Sequence, residues 1–156
     1  MSGRYVSTKI FQGFSTAFRQ WRAGGTHCRF LHGYDVYFKV WFAGEPDERH
    51  WVWDFGGMSR CRGTIEGLAP REWMNYLLDH TVLAAEDDPE LELFRELDRR
   101  GVLQLRVLPA VGAEALARHL YRHLDAFVRE ETAGRVQVTR VEFFENERNS
   151  AIYEEP

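Results

Sequence analysis

The chain has 156 residues, 44% of them apolar, with 20 Lys and Arg against 24 Asp and Glu. That length and composition fit one domain over residues 1–156 with a core of its own, and a net charge of −4 leaves no basic surplus for a phosphate backbone, which argues against nucleic acid as a partner. No apolar run reaches the roughly 20 residues of a membrane span, and Met1–Lys9 lacks the apolar stretch of a secretion signal. Two cysteines, Cys28 and Cys61, are too few for a disulfide scaffold, so a reduced cytoplasmic protein is expected.

Tyr5–Phe11 is rich in β-branched and aromatic residues and predicts a first strand. After the glycine-rich turn Ala23–Thr26, the alternation of Tyr34–Phe42 predicts a strand with one covered face. The turn Gly44–Asp47 and the run Trp51–Phe55 then predict a returning strand and a hairpin. Pro70–Leu78 reads as a helix with Pro at its first position and Trp73, Tyr76 and Leu77 on one face. A short helix from Asp88–Glu90 to Arg100 closes on Gly101, and Val102–Leu108 is strand-like. The strongest helix is Ala113–Glu131, with Leu116, Leu120, Leu124, Phe127 and Val128 at three- and four-residue spacings. Arg135–Phe143 alternates and predicts the last strand. The sum is an α+β domain, an antiparallel sheet with helices on one face. Eleven Phe, six Tyr and five Trp supply broad side chains for the sheet, or faces on which a flat heterocycle can stack.

Four places could carry chemistry. Cys28 lies between His27 and His32, beside Arg29, where a thiolate would be favoured; an inert cysteine is the plain alternative. In Asp79-His80 a carboxylate can orient an imidazole for proton transfer, or the pair caps a helix end. Glu145 could accept two hydrogen bonds from the amidine-like edge of a pterin or guanine, or be one more charge in an acidic C-terminal run. His119 and His123 have the i, i+4 spacing of metal ligands, but Arg118 and Arg122 interleave with them and suggest a solvent face.

Taken together these motifs occur in an order that resembles the 6-pyruvoyl-tetrahydropterin synthase / 6-carboxytetrahydropterin synthase family over nearly the whole chain. Phe14–Phe18 is similar to its F-x-A-A-H strand end, and Cys28–Tyr34 to C-x-x-x-H-G-H. Asp54-Phe55 matches D-F, Asp79-His80 with Leu83 matches D-H-x-x-L-N, and Ala113-Glu114 falls where P-T-A-E-N opens the long helix. Glu145, with Tyr153 eight residues on, matches the closing E-T segment.

The resemblance implies a T-fold, a four-stranded antiparallel sheet with two main helices on one face, assembled into a homo-oligomeric barrel with active sites between subunits. It implies lyase chemistry on 7,8-dihydroneopterin triphosphate or a related pterin. In the 6-carboxy branch that chemistry feeds queuosine and other 7-deazaguanine pathways. By position, Cys28, Asp79 and His80 would move protons, and Glu145 would anchor the ring. Asn146, Glu114 and Phe55 would line the substrate site. The family's zinc is held by three histidines; here Phe18 and Tyr34 stand at two of those positions, and His32 alone remains, with His27 as a candidate replacement. Asn146 stands for the Thr after the anchoring Glu, Ala84 for the Asn of D-H-x-x-L-N, and Val111–Ala115 departs from P-T-A-E-N. Three readings follow: a synthase with a rearranged zinc set, a zinc-independent enzyme on a heterocyclic substrate, and a non-catalytic pterin-binding protein.

Overall fold

A computed structural model describes residues 3–156. In chain order they form strands β1 (Tyr5–Phe18) and β2 (His32–Gly44), helices α1 (Gly57–Arg60) and α2 (Pro70–Leu78), strand β3 (Thr81–Ala85), helix α3 (Leu91–Arg99), strand β4 (Leu105–Leu108), helix α4 (Ala113–Glu131), and strands β5 (Val136–Phe144) and β6 (Ser150–Glu154). A 3₁₀ turn at His27–Arg29 leads into β2. The strands make one curled sheet of order β4-β3-β1-β2-β5-β6. Its four longer-range partners β1, β2, β5 and β6 are antiparallel, while β3 and β4 extend the β1 side in parallel.

β1 runs past its expected end at Phe11 because a bulge inserts one residue between Phe11 and Phe14. Gly13, at φ +89°, makes that step without a Cβ penalty. The bulge keeps Phe11, Phe14, Thr16 and Phe18 all on the covered face. That face packs under α4, through Leu116, Leu120, Leu124, Phe127 and Val128, and under α2, through Trp73, Met74, Leu77 and Leu78. α3 lies on the other side of β3. Ala84 packs with Leu91 and Phe94 of α3, whereas its neighbours Leu83 and Ala85 join the main core, as strand alternation requires.

The expected strand over Trp51–Phe55 is not present. β2 already pairs with β1 on one side and β5 on the other, so no edge is left for it. The segment folds onto the core instead. Trp53 stacks on Phe42 at 5.2 Å and meets Phe127 edge-on at 6.4 Å. Arg135 ties it down by donating to the carbonyls of Glu45 and Val52. Two strands had no clear sequence signal: β3, whose five residues are all buried, and β6, which follows the strand expected to be last. The histidines of α4 do not form a solvent face, since His119 and His123 stack on the buried Trp73 at 6.1 and 5.1 Å. Burial and the neighbouring His123 push His119 down to about 4, so it is neutral.

Candidate active site

One end of the sheet gathers most of the candidate residues. Phe18 sits directly opposite His32, and Thr16 opposite Tyr34, in the β1–β2 ladder. Opposed residues of an antiparallel pair share a face, so Phe18, His32 and Tyr34 all point to the covered side. They form an aromatic column: Phe18, fully buried, stacks on Tyr34 at 4.3 Å and 11°, and His32 lies on Tyr34 at 4.5 Å and 39°. The His32 Nδ1 is 2.7 Å from the Phe30 carbonyl, which acts as acceptor and leaves Nε2 unprotonated in the neutral ring.

The N-terminus of α4 and the end of β5 close the same corner. Gly112, at φ +112°, precedes α4, and Gln20 occupies the space where a Cβ would sit. The Gln20 Nε2 donates to the Val111 carbonyl at 3.1 Å. Gln20 has no local sequence signal, because its partner is ninety-one residues away.

Glu145 follows the last residue of β5 and is half-buried, with its amide donating to the Asn149 carbonyl at 3.0 Å. Burial and then the negative charge of Glu114 raise its carboxyl above the usual range, against a smaller opposing pull from His32. Burial, then Glu145 and Cys28, push the Tyr34 phenol up to about 12. Cys28, Tyr34, His32, Glu114 and Glu145 therefore share one electrostatic neighbourhood. Asn146 mainly shapes the turn, its Oδ1 accepting from the amides of Arg148 and Asn149 at 2.9 Å each. An open groove of about 690 Å³ beside the turn is lined by Gln12, Asp35, Tyr37, Glu145, Asn146 and Glu147.

Asp79 and His80 lie on the other flank of β1, at the start of β3. The Asp79 Oδ1 accepts from the Ser15 amide at 3.2 Å and is 3.0 Å from the His80 Nδ1. The Ser15 amide, and then His80, hold the Asp79 carboxyl below its ordinary value. His80, at φ +56°, leaves its side chain 78% exposed. No hydrogen bond or ion pair among the described residues joins this pair to Cys28: the His80 amide donates to the Ser15 carbonyl on β1, while the Cys28 carbonyl accepts from the Gln20 amide beyond the end of that strand. Phe55 joins neither group. It lines an aromatic pocket of about 550 Å³ with Tyr5, Trp51 and Trp53, and its carbonyl accepts from Lys9, which pairs with Val40, eight residues along β2 from His32.

A three-histidine zinc site does not fit these residues. Phe18 has no donor, Tyr34 holds its proton up to about 12, and His32 is a single imidazole. His27 is exposed and meets Phe30 edge-on at 6.4 Å. Among the described residues no three His, Cys, Asp or Glu side chains are placed to share a metal ion. Arginines near the corner are committed elsewhere: Arg19 to Asp88 at 2.6 Å and Arg22 to Asp87 at 2.7 Å.

The curled six-stranded sheet, antiparallel over β1, β2, β5 and β6 and backed by α2 and α4, with this corner at its end, defines a T-fold protein. A sequence profile of the 6-pyruvoyl tetrahydropterin synthase family matches residues 7–156, and the chain belongs to that family. No curated protein gives a significant match. An uncharacterized protein of Wolinella succinogenes has a similar structure, at 21% identity and a TM-score of 0.78, covering 99% of this chain and 100% of that one. The 6-pyruvoyl tetrahydropterin synthase of Caenorhabditis elegans superposes at a TM-score of 0.61 and 17% identity, covering 99% and 97%. That of Plasmodium vivax does so at 0.63 and 13%, covering 97% and 98%. No helix among the described residues is long and apolar enough to cross a membrane.

Proposed function

We propose that this chain is a lyase of pterin chemistry. Its substrate is 7,8-dihydroneopterin triphosphate or a related pterin, and its reaction is of the 6-carboxytetrahydropterin type that serves 7-deazaguanine synthesis. The observation that carries this reading is Glu145, a half-buried carboxylate with a raised pKa near Tyr34 and His32, in a chain of this family. A pterin presents two adjacent N–H donors along its amidine edge. Bound to Glu145, they compensate both the desolvation and the repulsion from Glu114.

Proton transfer is the task of Cys28 and the Asp79–His80 pair. Cys28 acts as the base: it takes the proton of the side-chain carbon adjacent to the one that carries triphosphate, the C–H electron pair forms a C=C bond, and the C–O bond breaks as triphosphate leaves. Asp79 fixes the His80 tautomer through Nδ1, so Nε2 faces outward and can exchange protons with substrate oxygens. The pair makes no hydrogen bond or ion pair with Cys28 in its own chain, so the site is completed by a second copy, and the protein works as a homo-oligomer.

A zinc-independent version of this enzyme is the second reading, and the Phe18–Tyr34–His32 column favours it. The test is incubation with 7,8-dihydroneopterin triphosphate, with products followed by mass spectrometry. Triphosphate release is expected from the wild type. Cys28→Ala and His80→Ala should abolish it with unchanged circular dichroism. Wild-type rates in both variants, or no reaction and no binding of neopterin, would overturn the proposal.

A further inference from the structure

We propose that the Tyr34 phenol replaces the family's metal ion as the electrophile of this site, so that the chain works without zinc. This inference rests on the pterin reading above for its substrate, and on the structure for its geometry.

The three positions that would surround a metal are filled by packed rings. Phe18 is fully buried against Tyr34, 4.3 Å between ring centres, and closes the space from one side. His32 lies over the same phenol from the other side at 4.5 Å. Its Nδ1 is committed to the Phe30 carbonyl, which fixes the ring plane. Tyr34 is thus clamped between two rings on a sheet face, with its hydroxyl at the outer end of a rigid side chain. No hydrogen bond from another described residue engages that hydroxyl, although the ring is half-buried.

The chemistry requires something to stabilise negative charge on a side-chain oxygen when the neighbouring carbon loses its proton. A metal does this as a Lewis acid, and a fixed neutral O–H donor does it by hydrogen bonding to the developing oxyanion. Tyr34 keeps its proton up to about 12, so it is a donor at any physiological pH. Loss of triphosphate leaves an enol on the side chain that becomes a ketone. When the carbon between this ketone and the ring gives its proton to the Cys28 sulfur, the C–H electron pair forms a C=C bond, the carbonyl pair moves to the ketone oxygen as an enolate, and the Tyr34 proton stays on Tyr34, donated to that oxygen. The balance needs no further reactant. Glu145 and Cys28 are the acidic groups near the phenol. His32 on β2, Glu114 on α4 and Phe18 on β1 complete its surroundings.

The test uses purified wild-type protein stripped of metal, alongside Tyr34→Phe, His32→Ala and the double variant Phe18→His/Tyr34→His. Zinc(II) is titrated by calorimetry, with metal content measured after desalting. No stoichiometric zinc uptake is expected for the wild type, whereas stoichiometric uptake that His32→Ala removes would overturn the proposal. Tyr34→Phe should keep the ring column, the melting temperature and neopterin binding, yet lose turnover by about 10²–10³-fold, the effect of removing one oxyanion donor. Turnover by Tyr34→Phe at the wild-type rate would overturn it. The double variant, if its melting curve shows it folded, should gain zinc. A folded double variant that takes none would show that these positions do not surround a common point, which also overturns it. If wild-type protein neither binds neopterin nor consumes dihydroneopterin triphosphate, the pterin reading has failed, while the zinc titrations still decide whether the site is metal-free.

Discussion

Glu145→Gln should stabilise the free protein and weaken its hold on a pterin, and the two effects separate with pH. Burial and Glu114 raise the folded-state pKa of Glu145 above its ordinary 4.5. Below that ordinary value the carboxyl is protonated in both the folded and unfolded chain, and its ionisation contributes nothing to the difference. As pH rises, the unfolded chain ionises first. From there to above the raised pKa the folded state loses stability relative to the unfolded one, and the loss then stays constant. Glutamine has the same shape without the charge and escapes this loss. The melting temperature of the variant should therefore match the wild type near pH 4 and exceed it at pH 7, with Glu114→Gln giving part of the same gain. Binding moves the other way. A carboxylate accepts both N–H groups of the pterin edge, whereas an amide accepts one and turns its own NH₂ against the other. Losing one charge-assisted hydrogen bond and burying an unpaired donor costs about 2–4 kcal/mol, or roughly 30- to 1,000-fold in affinity. Thermal melts from pH 4 to pH 8 and neopterin fluorescence titrations measure the two effects. A melting difference that does not change with pH, or unaltered affinity, would refute the reasoning.

Other perturbations test the frame that holds the corner in place. Trp53→Ala removes a ring that is 6% exposed and packed between Phe42 and Phe127, and should cost about 3–5 kcal/mol in urea unfolding; a loss under 1 kcal/mol would contradict the packing. Asp88→Asn breaks a pair in which the Asp88 side chain is 2% exposed and receives both Nε and Nη2 of Arg19, and should cost about 3–5 kcal/mol at pH 7. The Arg19 contact lowers the Asp88 pKa below 3.8, so that stability is present above this value and is lost as pH falls through the lowered pKa. The gap between wild type and variant should thus narrow in acid, and a gap that is constant down to pH 2 would count against the assignment.

What the sequence could and could not reveal follows from where each element finds its partners. β2, α2, α4 and β5 carry their own periodicity, and each lies within two residues of its expected limits. Trp51–Phe55 has equally good alternation, but alternation reports only which side chains seek cover. With both edges of β2 taken, Val52 and Trp53 find that cover beneath α4 rather than in a ladder. β3 is a short run buried on both faces, and its pairing depends on β1, sixty-five residues earlier. At the site, the H-x-H register already placed residues 32 and 34 on one face, and the structure adds that Phe18 packs against them. Where Cys28 and His80 attach had no local trace: the Gln20–Cys28 and Ser15–His80 backbone bonds fix them, and no short motif encodes these.

Mixing two inactive variants tests the central claim most directly. In the proposed shared site, Cys28→Ala would lack the thiol on one side and His80→Ala the imidazole on the other. If the site forms between copies, denaturing the two variants together and refolding them produces some sites that keep both groups, so activity on 7,8-dihydroneopterin triphosphate returns to a sizeable fraction of wild type. Either variant refolded alone stays inactive. A mixed preparation as inactive as its components, although refolded into mixed oligomers, would contradict the account.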